Sequence, residues 1–342
     1  MLKRNTLIFI LLVIGGVVLF MLDLLLGSVK IPLESFIDVV FFGNITSPYY
    51  LTIVDFRLPK AIVASLAGAA LSVSGLQMQT IFRNPLAGPY ILGISSGAGL
   101  GVALLVLGVP GVLGLGYGII YSQWAIALAA WIGAALMLML IMIISIRVRD
   151  IMTILIFGIM FGSAASALIT LMQYFGADSS VKAFVIWTMG NLGGVTRQQL
   201  WVVVPGVISG LLLAFVLPKN LNALLLGENY ARTMGLHVSR TRILVFISTS
   251  MLAGTVTAFC GPIGFIGIAI PHIARMLFQS ANHFLLIPGS LFLGVNIMLL
   301  SDIISQLPGN SQVLPINSIT ALLGIPIVVW IVFRNQKMSS LV

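Results

Sequence analysis

Runs of about twenty apolar residues follow one another along almost the whole chain, divided only by short stretches where Gly, Pro and charge cluster. Wound as a helix, about twenty residues cross the hydrocarbon core of a bilayer, and no polar block between the runs is large enough for a soluble domain. Only 7% of the 342 residues are charged and the mean hydropathy is +1.15, against about 25% charged in ordinary soluble domains. The chain therefore reads as an all-α integral membrane protein, one transmembrane domain over residues 1–342. Its first run, Asn5 to Leu26, is longer than the apolar region of a secretory signal, and no small-x-small cleavage site clearly follows it. It reads as the first span.

Breaking the chain at its Gly, Pro and charge clusters gives ten candidate spans, 6–26, 58–81, 92–109, 120–146, 151–174, 199–217, 242–260, 262–280, 285–305 and 314–333. An even number puts both termini on one side. With the termini in the cytoplasm, Lys3, Arg4, Arg83, Arg147, Arg149, Lys219, Arg232, Arg240, Arg242, Arg275, Arg334 and Lys337 lie inside. Lys30, Arg57, Lys60, Lys182 and Arg197 then lie outside, so twelve of the seventeen basic residues are inside, as the positive-inside rule requires. The same scatter through loops explains the net charge of +9 without nucleic acid, which would ask for a basic stripe with aromatics.

Spans 2 and 7 run in opposite directions, and each opens a four-span block. Both are rich in small residues, with Ser65, Gly68, Ala69 and Ser72 in one and Ser248, Ser250, Ala253 and Gly254 in the other. Each then meets a Gly/Pro break, at Arg83–Gly93 and at Gly261–Gly267. The pattern predicts an inverted repeat of spans 2–5 and 7–10, a common transporter design. Gly93, Gly97 and Gly101, and likewise Gly158, Gly162 and Ser166, recur every four residues on one helical face. Such faces predict close helix packing.

The spans carry almost no ionisable side chains. Asp23 and Asp302 fall near outer ends, Arg275 and His283 near the inner surface, which argues against an intramembrane enzyme or an ion-coupled carrier. A scaffold would show a large polar or coiled-coil surface, which this sequence lacks. The sequence has no phosphate-binding loop of the GxxxxGK[ST] type, so ATP could drive it only through a separate subunit. Cys260 is the single cysteine and reads as a buried thiol; with three scattered His there is no metal-ligand spacing.

Two loops carry more information. In 218–236, Glu228 to Met234 reads as a short helix ended by Gly235, with Glu228 near its start and Arg232 four residues on. It suits either a docking element or an ordinary surface helix. The stretch Arg83-Asn84-Pro85-Leu86-Ala87-Gly88-Pro89-Tyr90-Ile91-Leu92-Gly93 must end span 2, because its prolines cannot continue a helix. It suits a plain turn or a constriction.

Five motifs in order then resemble the FecCD-type permease family: Arg57-Leu58-Pro59-Lys60, the segment Arg83 to Gly99, Trp187-Thr188-Met189-Gly190, the loop Leu224 to Leu236, and Gly261 to Arg275. The resemblance covers essentially the whole chain. It implies a non-catalytic subunit of an ATP-driven importer for a ferric siderophore, with haem or cobalamin as alternatives, in the bacterial inner membrane. It also implies a homodimer or a pairing with a close paralogue, two ATPase subunits that hold ATP and Mg, and a substrate-binding protein above. By the same carry-over Asn84 and Leu86 form an inner gate, Asp150, Ile151 and Met152 match a second constriction more loosely, and Gly227, Glu228, Ala231, Arg232 and Gly235 form the ATPase-coupling loop. Arg57 and Lys60 would pair with acidic residues of the binding protein, lipid headgroups being the other partner open to such side chains. Where some relatives carry a further basic residue, this chain has Gln306.

Overall fold

A computed structural model describes residues 2–108, 122–148, 150–306 and 313–339; Arg149, the last residue of the third expected span and the first two of the fourth lie outside them. The described residues form helices and connecting turns, without a strand. Seven helices are long and apolar enough to cross a bilayer. They are α1 (Leu2–Leu25), α3 (Leu58–Ile81, entered through a wide turn at Thr52–Arg57), α5 (Gln123–Arg147), α6 (Ile151–Phe175), α8 (Arg197–Val216), the pair α11 (Val238–Thr249) and α12 (Thr255–Cys260), and α14 (His283–Ser305). In the pair, a wide turn at Ser250–Gly254 joins the two helices without a break. The other three expected spans coincide with shorter apolar helices, Ile94–Gly108, Ile266–Phe278 and Ile316–Trp330. These belong to α4 (Ile94–Ala103), α13 (Ile266–Phe278) and α15 (Ile316–Ser339). Four connecting helices complete the set: α2 (Leu33–Val40), α7 (Asp178–Thr188), α9 (Pro218–Leu225) and α10 (Glu228–Thr233).

The centre of the bundle is α3, whose residues from Ala67 to Ile81 are all buried, because its small side chains admit other backbones on every side. A Cβ on Gly75 would lie 1.8 Å from the carbonyl oxygen of Gly267, and one on Gly97 would lie 2.5 Å from that of Gly133. The four-residue spacing of Gly93, Gly97 and Gly101 read from the sequence therefore does pack α4 on α5, and Gly75 brings α3 onto α13 in the same way. By contrast α1 and α6 bury little of themselves. At the far end of α3 a smaller cluster of Leu24, Phe36, Val39, Ile53 and Ala61 seats the amphipathic α2.

The two Gly/Pro breaks meet. Tyr90, in the first, accepts the N–H of Ile263, in the second, on its phenol oxygen at 3.2 Å, and Pro89 packs against the position a Cβ on Gly267 would take. After Phe82 the chain thus turns back along α3 before α4 begins. Irregular backbone inside a membrane protein survives where protein covers it, and here each break covers the other.

Candidate functional site

The inner turn is built from the chemistry of its own residues. Arg83 takes a left-handed backbone with φ +46°, Asn84 Oδ1 accepts the N–H of Leu86 at 2.9 Å, and its carbonyl accepts that of Ala87 at 3.0 Å. Such a side chain-to-backbone bond offers the chain an alternative to helix. The bond turns Leu86 outward, 44% exposed, while Phe82 and Ala87 are buried. Asn84 is therefore the support of the turn, and Leu86 is its projecting apolar tip.

The second expected constriction is a helix start. Asp150 caps α6, its Oδ2 accepting the backbone N–H and the hydroxyl of Thr153 at 2.8 and 2.7 Å. Those two bonds hold its carboxyl below the usual carboxylate range. Ile151 is partly covered and Met152 is exposed.

From that cap runs the surface that distinguishes α6. Ser163, Ser166 and Thr170 lie on its exposed side, and a depression of about 450 Å³ is lined by Tyr90, Gly93, Ser96, Gly162, Ser163 and Ser166. Close packing of Gly158 against the carbonyl of Ile91, 2.5 Å from a Cβ placed there, brings the inner turn to its edge. The surface is shallow and mixes hydroxyls with the exposed Ile156 and Ile159, and Thr170 Oγ1 donates to the carbonyl of Ser166 at 3.0 Å.

In the 218–236 loop α10 forms as expected, with Gly227 at φ +113° and Gly235 at φ +84° taking backbones that a side chain would strain. Glu228 bonds Arg242 of α11 and has Arg232 at 3.7 Å, so the i,i+4 pair exists but a distant arginine is the closer partner. Ala231 is fully buried within this chain. What faces outward instead is Leu226, Tyr230 and Met234, a four-residue apolar spacing on the loop that the sequence reading passed over.

Arg57 and Lys60, expected at an exposed rim, point into the protein. Arg57, 7% exposed, donates to the carbonyl oxygens of Leu24 at 2.8 Å, of Leu25 at 2.6 Å and of Val29, pinning the end of α1. Lys60 pairs with Asp302 at 3.0 Å. Gln306 donates to Asp302 at 3.0 Å and to Asp23 at 3.3 Å, so one buried polar cluster joins α1, α3 and α14. The two acids had been placed only at span ends by the sequence; their meeting with Lys60 was not legible there. Cys260 is buried, as read from sequence.

Comparison with known proteins fits this architecture. The FecCD transport family model matches residues 12–334. The chain belongs to the FecCD transport family. Among similar proteins of this family, the vitamin B12 import system permease protein BtuC of Klebsiella pneumoniae is 37% identical over 286 residues, 84% of this chain and 83% of that one. The BtuC protein of Salmonella typhi is 37% identical over 281 residues, 82% of this chain and 83% of its own length. A solved chain described as an inward-facing metal-chelate type ABC transporter superimposes with a TM-score of 0.81 at 25% identity, covering 96% of this chain and 99% of the other. PsaBC from Streptococcus pneumoniae shares the fold, with a TM-score of 0.52 at 19% identity. This FecCD chain is thus a multi-pass permease subunit of an ABC importer in the bacterial inner membrane.

Proposed function

We propose that two copies of this chain, or this chain and a close paralogue, enclose one path for a metal chelate between their α6 surfaces. The observation that carries the reading is the outward row Ser163, Ser166 and Thr170 on a helix that its own chain hardly covers. Hydroxyls gain nothing from lipid tails, and they suit a water-filled passage. Each copy would contribute ten spans, the seven long helices and the three shorter ones, with spans 2–5 and 7–10 as two inverted blocks and both termini in the cytoplasm. Leu86, beside that surface, would close the inner end, with Asn84 supporting it and Asp150, Ile151 and Met152 at its edge. Two ATPase subunits carrying ATP and Mg would dock on the loop of Gly227, Glu228, Ala231, Arg232 and Gly235, through the exposed Leu226, Tyr230 and Met234. A substrate-binding protein would deliver cargo to the opposite end, near Arg57 and Lys60.

The cargo proposed first is a ferric siderophore or similar chelate. A second reading, cobalamin, is favoured by the similar proteins that are named vitamin B12 permeases. Proteoliposomes containing the permease, its ATPase and its binding protein should accumulate one of the two radiolabelled chelates only when ATP is supplied. Uptake driven by an ion gradient without the ATPase would end the importer reading, and accumulation of one chelate alone would decide the cargo.

A further inference from the structure

We propose that a small cavity beneath the inner turn is a binding site for a phosphate oxyanion. It measures about 250 Å³ and lies where the last turn of α3, the end of α9 and the start of α14 meet α13. Gln79, Thr80, Arg83, Arg275 and His283 form its polar wall, Leu225 and Leu286 lie among the rest, and no Asp or Glu lines it. Two arginines therefore line one partly open space. Among the described residues neither Arg83 nor Arg275 has a carboxylate within 4.0 Å.

Arg275 aims both of its terminal nitrogens at one neutral acceptor, Gln79 Oε1, at 2.7 and 2.6 Å. Gln79 is itself fixed, its Nε2 donating to the carbonyl of Ile268 at 3.1 Å. An amide oxygen orients a guanidinium without balancing its charge, and a partly buried charge with no counter-ion is an unfavourable arrangement. His283 is fully engaged, its ring nitrogens meeting Thr80 at 2.8 Å and Asn222 at 2.7 Å and its backbone N–H reaching Asn222 at 2.8 Å. It forms a wall, so the donors left for a ligand belong to the two arginines. Arg83 is exposed at the mouth, and its Nη2 lies 3.9 Å from where a Cβ on Gly227 would be.

Arginine forks match the paired oxygens of a phosphate, and charge-assisted bonds of this kind are short and strong. The volume accommodates a phosphate group with its first substituent but no acyl chain. The ligand is then either free phosphate or the headgroup of an anionic phospholipid whose chains stay outside. A bound anion would tie Arg83 of the inner turn to α13, and nothing in this argument depends on the cargo.

The test uses the full chain, purified in detergent and in nanodiscs. In detergent, inorganic phosphate should raise the unfolding midpoint in a saturable way that chloride at equal ionic strength does not reproduce. Alternatively, native mass spectrometry should show retention of phosphatidylglycerol but not phosphatidylcholine. The first result identifies free phosphate as the ligand and the second identifies a lipid headgroup; either supports the site. Arg83→Gln, an exposed position whose change leaves the fold intact, should weaken the observed binding about tenfold or more, the loss expected for one hydrogen bond to a charged group. Arg275→Gln should abolish it, and Arg275→Lys should retain part. No saturable effect of either probe, or equal binding by Arg83→Gln and the unmodified chain, would overturn the proposal.

Discussion

Replacing Lys60 with Met separates a structural role from a docking role at the outer end. Lys60 Nζ lies 3.0 Å from Asp302 Oδ1, and its side chain is 14% exposed against 1% for Asp302. Asp23, also buried, shares Gln306 with Asp302, while Arg57 is bound to three carbonyls of the α1 end. Removing the ammonium leaves two buried acids without their nearest cation. Breaking a buried ion pair from one side costs about 3–5 kcal/mol, and at about 2 °C per kcal/mol for a chain of this size the midpoint should fall by ~6–10 °C. The double variant Lys60→Met, Asp302→Asn removes both charges and should recover most of that loss, since a neutral replacement of a whole pair is often tolerated. The assay is thermal unfolding of the permease in nanodiscs, followed by affinity for the binding protein. If Lys60→Met melts with the unmodified protein yet loses that affinity, the side chain serves the partner and the buried-pair argument fails.

Replacing Leu86 by Ala should let small solutes leak through proteoliposomes without ATP, because an apolar constriction closes by excluding water; Asn84→Ala should loosen the turn and leak less, and a tight Leu86→Ala variant would remove the gate from this position. Ala231→Leu should destabilise the permease itself by about 1–3 kcal/mol through overpacking, measured as a lowered unfolding midpoint before any ATPase is added. Tyr230→Ala should leave that midpoint unchanged while reducing ATPase binding, and unchanged binding would place the ATPase contact elsewhere. Gly75→Ala should reduce the folded yield sharply, because its Cβ would stand 1.8 Å from the carbonyl of Gly267 and ordinary carbon–oxygen contact needs α13 to move away; size-exclusion profiles after membrane extraction check this, and a normal profile would show that α3 and α13 can separate.

What local chemistry controls was legible in the sequence. The seven long membrane helices follow from hydropathy, the ends of α3 and α12 from proline and glycine, and the close face of α4 from glycine spacing. The helix at Glu228–Thr233 follows from its acidic start and the Gly235 stop, and Cys260 from its apolar neighbours. Each of these depends on residues within a few positions of one another. Tertiary structure decided the rest. Arg57 and Lys60 look from sequence like rim residues, yet their partners come from α1 and α14, and Lys60 meets an acid 242 positions away. Ala231 reads as a surface residue of a short polar helix but is covered by its own chain, and Tyr90 joins a break 173 positions further on. Periodicity tells which side of a helix is apolar or small; which neighbour covers that side is set by how all the helices pack together. A charged side chain beside such a face is therefore an outward contact or a buried pair according to a partner that its own segment cannot specify.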